Sequence, residues 1–136
     1  MSTARFILAA LAALATTAQA RPAIEGVTVI IAARPSGGSS ARAGEPEAVA
    51  KLMAELNAEQ AKNWRPFHAK LGACAVRLTL YAGDERLARY VIDADMLVAY
   101  DGTSATSGLF REVGRYDLRA IRHLAAKVQD PKVCKK

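Results

Sequence analysis

The sequence predicts a small α+β domain in which two helices pack on one face of an antiparallel sheet of about four strands. Two segments repeat apolar residues at helical spacing, and several short segments between them are predicted as strands, one of which alternates apolar and polar residues. Turn-forming residues separate these short segments at close intervals. Consecutive strands flanked by helices are typical of this class. The expected element order is β-α-β-β-β-α, with one further short strand before the last helix.

Five segments carry the strand signal. Residues 27–31 are almost all β-branched, which favours a strand. Residues 74–81 alternate apolar and polar side chains, as a half-buried antiparallel strand does, and a turn connects them to a second strand over 86–92. A third strand of this group is expected over 96–100. The further short strand is expected over 109–113.

Two helices are predicted from apolar residues at i, i+3, i+4 and i+7. The first begins at Pro46 and should end by Arg65, because Pro66 disfavours helical geometry in the residue before it. The second spans 116–128, with Asp117 as its N-cap. Apolar positions expected to face the core are Val49, Leu52, Met53 and Leu56, then Leu118, Ile121, Leu124, Ala125 and Val128. Charged positions of the first helix expected in solvent are Lys51, Glu55, Glu59 and Lys62.

Residues 1–20 have the three parts of a cleavable secretory signal peptide. Arg5 supplies the positive charge, residues 6–15 are an uninterrupted apolar run, and residues 18–20 form the small-x-small pattern that precedes a cleavage site. The apolar run is too short to span a membrane, which takes roughly 20 residues. We therefore expect a single exported domain of residues 21–136, periplasmic or secreted, with no transmembrane anchor.

The exported segment is long enough for one domain with a modest core, in which we expect Trp64 and Phe67. The whole chain carries a net charge of +6, and removal of Arg5 leaves +5. A charge of this size influences which surfaces attract a protein. The expected partners are an acidic protein or an anionic envelope polymer, and nucleic acid is not expected outside the cytoplasm.

The two cysteines, Cys74 and Cys134, predict a disulfide, because an even count in an oxidising compartment usually means pairing. Two free thiols are the alternative. The bridge would hold the end of the chain against the start of a central strand. This role is structural, since a redox role would need a C-x-x-C pair, which the sequence lacks.

The residues that could carry chemistry do not form a recognisable set. His68 and His123 lack the spacing of a metal-binding pair. Asp93 and Asp95 could bind a hard cation together with Asp101, but they supply too few oxygens for a calcium loop. Neither a G-x-S-x-G elbow nor a paired Cys and His is present. We therefore predict no metal, no cofactor and no catalytic residue.

The strongest surface feature is a set of arginines near the end of the chain. Arg115, Arg119 and Arg122 fall at i, i+4 and i+7, which is the spacing of one face of the last predicted helix, and Arg111 precedes them. The planar fork of arginine binds carboxylates and phosphates bidentately, so these four residues predict a surface for an anionic partner. The alternative is the ordinary solvated face of an amphipathic helix.

Three functions remain open on the sequence alone. The leading hypothesis is a small exported, disulfide-stapled binding or accessory protein that uses this basic face and the loops over 34–44 and 101–108. An enzyme inhibitor or an envelope interaction module would be concrete forms of it. The second is an extracytoplasmic enzyme acting on cell-wall or other extracellular substrates, which a deep polar pocket joining two of His68, His123, Asp93 and Asp95 would favour. The third is a structural envelope protein without a defined ligand.

Overall fold

The computed structural model describes residues 20–67, 70–100 and 108–134. Within these residues it has two helices and one seven-stranded sheet, in which every neighbouring pair is antiparallel. The α+β class is confirmed, and the sheet is larger than predicted. The strands are β1 (Val29–Ala33), β2 (Ser40–Ala43), β3 (Arg65–Phe67), β4 (Val76–Ala82), β5 (Glu85–Asp93), β6 (Met96–Tyr100) and β7 (Gly108–Glu112). The helices are α1 (Pro46–Gln60) and α2 (Arg119–Ala126), and the strand order across the sheet is β2-β1-β4-β5-β6-β7-β3.

The central meander β4-β5-β6-β7 forms where the sequence predicts consecutive strands. Val76, Leu78 and Leu80 are almost completely buried and face the helices. The buried face continues across neighbouring strands, because Leu78 lies opposite Tyr90 and Tyr90 lies opposite Ala99. The apolar stripes predicted for α1 and α2 are buried against the same face. Both helices therefore pack on one side of the sheet.

The two edge strands were not predicted. β2 lies inside the segment 34–44, which we expected to be a loop because of its Gly, Ser and Pro content. Its residues have low strand propensity, but pairing with β1 places Ala41 and Ala43 against the core under the helices. β3 contains Pro66 and pairs only with β7, which suits an edge, where a missing N–H is tolerated.

The helix α1 ends at Gln60, five residues before the predicted limit at Arg65. The chain turns here so that Trp64 can enter the core, where it is 0% exposed. The Trp64 indole N–H donates to the Glu59 carbonyl at 3.0 Å, which satisfies a carbonyl near the helix end. Phe67 is also buried, so both aromatic residues lie in the interior as expected.

The second face of the sheet has a small core of its own. Val91 and Val98 are buried there beside Phe67 and Ala75, and Leu71 packs against them from the connection between β3 and β4. Tyr100 lies at the edge of this cluster. Burial raises the pKa of its phenol above the ordinary value, with smaller opposing effects from Arg89, which lowers it, and Asp93, which raises it.

The segment before β1 is held along α1 by side-chain amides. Asn57 accepts from the Ile24 N–H at 2.9 Å and donates to the Ile24 carbonyl at 3.1 Å. Gln60 donates to the Pro22 carbonyl at 2.8 Å, and the Arg21 N–H donates to the Gln60 carbonyl at 2.7 Å. Among the described residues, the hydrogen bonds to α1 extend back as far as Arg21.

The predicted disulfide between Cys74 and Cys134 is present, with 5.4 Å between the two Cα atoms. It joins the residues after α2 to the start of β4. Gln129 reinforces this connection, because its side-chain amide donates to the Cys74 carbonyl at 2.9 Å. A disulfide is compatible with an oxidising, extracytoplasmic location. None of the helices in the described part of the chain is long and apolar enough to cross a membrane.

Replacing both cysteines with serine should lower the free energy of unfolding by about 4 kcal/mol, the chain-entropy value for a closed loop of this length. The bridged residues are 60 positions apart. Guanidinium titration of the oxidised wild type, the reduced wild type and the double variant measures this loss. The reduced wild type should match the variant, and equal stability in all three samples would contradict the prediction.

Candidate anion-binding groove

A groove of about 640 Å³ lies between α1 and α2, and the last residue of β2, Ala43, forms part of its wall. Four basic side chains line it, and we call this cavity the helix groove. Lys51 comes from α1, while Arg119, His123 and Lys127 come from α2 and the residue that follows it. All four residues are exposed.

The three basic residues of the second wall follow at i, i+4 and i+8, so they form one row along α2. Lys51 faces this row from α1. Within the described residues, no carboxylate forms an ion pair with Lys51, Arg119, His123 or Lys127. The groove is therefore a concave surface with an excess of positive charge.

One carboxylate does line the groove, but both of its oxygens are occupied. Glu55 Oε2 accepts from the Ala120 N–H at 2.9 Å, and Oε1 accepts from the Ile121 N–H at 3.0 Å. Glu55 thus caps the N-terminus of α2 from the neighbouring helix, where the helix dipole favours a negative charge. The prediction that Glu55 only faces solvent is wrong.

The predicted N-cap, Asp117, does not fill that role. α2 begins at Arg119, and the residue before it, Leu118, has a left-handed backbone with φ of 60°. Asp117 instead accepts from the Gly114 N–H at 3.0 Å, which closes the turn ahead of the helix. The side chain of Leu118 enters the core, so its backbone conformation follows from burial rather than from local sequence preference.

The four arginines predicted as an anionic-partner surface lie in different surroundings. Arg119 lines the helix groove, and Arg115 lies in the turn before α2. Arg122 donates to three backbone carbonyls, those of Asp117 at 2.8 Å, Ala94 at 2.8 Å and Gly114 at 3.0 Å. Its guanidinium therefore ties the β5–β6 turn to the start of α2.

Arg111 is a partner of Glu59, whose side chain we expected in solvent. Glu59 is 4% exposed, and its two oxygens accept from Arg111 Nε and from Lys62 Nζ, each at 2.8 Å. Arg111 also donates to the Asn63 carbonyl at 3.1 Å. The burial of Glu59 could have been predicted from the helical spacing, because Glu59 follows Leu52 by seven positions and Leu56 by three and so lies on the apolar face.

The aspartates of the possible cation site line a different cavity of about 740 Å³, together with Glu112 and Arg115. The Asp93 carboxylate accepts from the Gly72 N–H at 2.6 Å. His123 lies in the helix groove, so it does not join these aspartates. His68 and Asp101 fall outside the described residues, as does the loop 101–107.

Among the residues described, no group of three or more His, Cys, Asp or Glu side chains is arranged to hold a metal ion. The helix groove instead combines flexible ammonium groups with one planar guanidinium, which suits carboxylate or phosphate ligands. Comparison of the chain with models of protein families, with curated proteins and with solved structures gave no match.

Replacing Glu55 with alanine should lower the free energy of unfolding by about 1–2 kcal/mol, because two N–H groups of α2 lose their partner. Urea titration measures the change. Glu47→Ala is the matched control, since it removes the same charge from an exposed position of the same helix. It should cost less than about 0.5 kcal/mol. If both variants lost the same free energy of unfolding, the capping role of Glu55 would be contradicted.

Glu59→Ala should lower the free energy of unfolding by about 3 kcal/mol, because it leaves the Arg111 guanidinium in a mostly buried site without its carboxylate. Arg111→Met retains much of the packing and removes the charge. The double variant should lose less free energy of unfolding than the sum of the losses in the two single variants. The difference, measured by a double-mutant cycle, is the interaction energy between Glu59 and Arg111. Additive losses would show that the two charges do not interact.

Proposed function

We propose that this protein is a small exported, disulfide-stapled binding module that holds an anionic partner in the helix groove. The observation that carries the proposal is the convergence of Lys51, Arg119, His123 and Lys127 on one cavity, where none of them forms an ion pair with a described carboxylate. Concave surfaces lined by charge of one sign concentrate ligands of the opposite sign and raise their association rates. The ligand groups that fit are carboxylates and phosphates.

The rigidity of the groove supports binding. Glu55 joins α1 to the first turn of α2, and Arg122 fixes that turn to the sheet. The disulfide and Gln129 hold the chain beyond α2 against β4. Binding to a preorganised site loses less free energy to ordering of the protein, so weak individual charge contacts can add up to a useful affinity.

The composition of the groove favours recognition over catalysis. His123 and Glu55 are its titratable groups besides the cationic residues, and Glu55 already accepts two backbone hydrogen bonds. The candidate aspartates lie in the other cavity. A catalytic acid–base pair would need both members within hydrogen-bond reach of one substrate. The groove offers donors for an anion instead.

The triple variant Lys51→Ala/Arg119→Ala/Lys127→Ala should bind anionic probes at least about tenfold more weakly, since three ionic contacts of up to about 1 kcal/mol each are lost. Immobilised poly-L-glutamate and polyphosphate serve as probes, with the oxidised chain from Arg21 onward as analyte. The salt dependence of binding should also become shallower.

The control removes the same charge from exposed residues away from the groove, in the variant Lys70→Ala/Arg86→Ala/Lys132→Ala. It should retain affinity within about threefold, because long-range attraction between exposed charges is largely screened at moderate salt. If both triple variants lose affinity equally, net charge and not the helix groove accounts for binding, and the proposal fails.

A further inference from the structure

The strand beside the helix groove, β2, is one of the two edge strands of the sheet. β2 pairs with β1 on one side through a regular register from Ile30–Ala43 to Ala33–Ser40, and it is the outermost strand in the sheet order. An edge strand presents a row of backbone N–H and C=O groups that the sheet does not pair. Such a row is a template for an extended segment of another chain.

The opposite edge is a poorer template. β3 has three residues, and Pro66 at its centre has no N–H to donate. β2 has four residues and no proline. A further strand paired with β3 would therefore lack one backbone N–H donor, whereas β2 has no proline and keeps all of its N–H groups. Of the two edges in the described part of the sheet, the better template is therefore β2, which lies next to the helix groove.

Edge and groove are continuous at Ala43, which is both the last residue of β2 and part of the groove wall. Ala41 and Ala43 point to the helix side of the sheet, where their small side chains leave room for those of an added strand. Arg42 is exposed and points to the other side. A segment on this edge would meet positive charge on both of its faces.

We propose that the anionic partner is an extended acidic segment of another protein, which adds to β2 as an eighth strand and places alternate carboxylates in the helix groove. This inference rests on the proposed function and specifies its ligand. Main-chain hydrogen bonds to β2 supply affinity that is independent of sequence. The groove selects acidic residues at every second position, because side chains alternate between the two faces of a strand.

The test uses a fluorescent eight-residue peptide of alternating Glu and Val, with binding followed by fluorescence anisotropy. Two further peptides carry N-methyl groups on the odd or on the even amides. Alternate amides of a strand point to opposite edges, so only one series loses the donors that face β2. That series should bind at least about tenfold more weakly, since about two hydrogen bonds to outward-facing β2 carbonyls, of about 1 kcal/mol each, are lost. The other series should bind like the parent peptide.

Two more measurements complete the expected pattern. The peptide in which Gln replaces Glu should bind weakly, as should the parent peptide to the Lys51→Ala/Arg119→Ala/Lys127→Ala variant. Hydrogen exchange should show slower exchange of alternate β2 amides when the parent peptide is bound, because those amides gain a carbonyl partner. No such change is expected in β3.

The remaining outcomes separate this inference from the proposed function. If both N-methylated series bind like the parent, the groove attracts charge without strand pairing, and the inference is overturned while the binding module stands. If polyphosphate binds and none of the peptides does, the partner is an anionic polymer, and the inference is again overturned. If no probe distinguishes the groove variant from the wild type, both proposals fail.

Discussion

Buried polar side chains bind the last turn of α1 to the rest of the fold, and the position of much of the structure depends on these contacts. Gln60 is 2% exposed and links three parts of the fold, because it accepts from the Tyr90 hydroxyl of β5 at 2.9 Å and donates to the Pro22 carbonyl. Glu59 binds Arg111 of β7. A buried polar group that loses its partner costs about 1–3 kcal/mol, so α1 cannot rotate or slide without breaking several such bonds.

This attachment sets the position of the second helix. Glu55 lies one turn before Glu59 on α1, and with the end of the helix fixed, its carboxylate meets two N–H groups in the first turn of α2. Arg122 fixes the same region from the other side through the carbonyls of Ala94 and Gly114. Lys51 on one wall repels the basic row on the other, and the hydrogen bonds of Glu55 and Arg122 hold the two walls together.

Local patterns account for the parts of the fold that were predicted correctly. Helical spacing identified both buried stripes, alternation and turn residues identified the strands of the central meander, and the count of cysteines identified the bridge. β2 and β3 were missed because their strand character comes from partners, and Pro66 of β3 lies opposite Leu109 of β7, far along the chain. Neither segment has the propensity that would reveal it in isolation.

The groove was only partly visible in the sequence for a related reason. Arg119 was identified, but it was grouped with Arg115 and Arg122 on the assumption that the helix began at residue 116. The observed start at Arg119 leaves Arg115 in a turn, and the partners of Arg122 are carbonyls from two connections. Lys51 joins the site through the Glu55 cap, a contact between residues 65 positions apart. No short-range pattern contains such a contact.

The disulfide shields one part of the chain from mechanical tension and leaves the other part exposed to it. Cys74 and Cys134 enclose β4 to β7 and α2 in one closed loop, while β1, β2, α1 and β3 lie outside it. A pull between Arg21 and Cys134 passes through the sulfur atoms, so roughly 200 Å of contour length within the loop is shielded from stretching. One wall of the groove lies inside the shielded loop and the other outside it. Force applied between these two residues would therefore part the two walls of the groove while the enclosed strands and α2 stay intact.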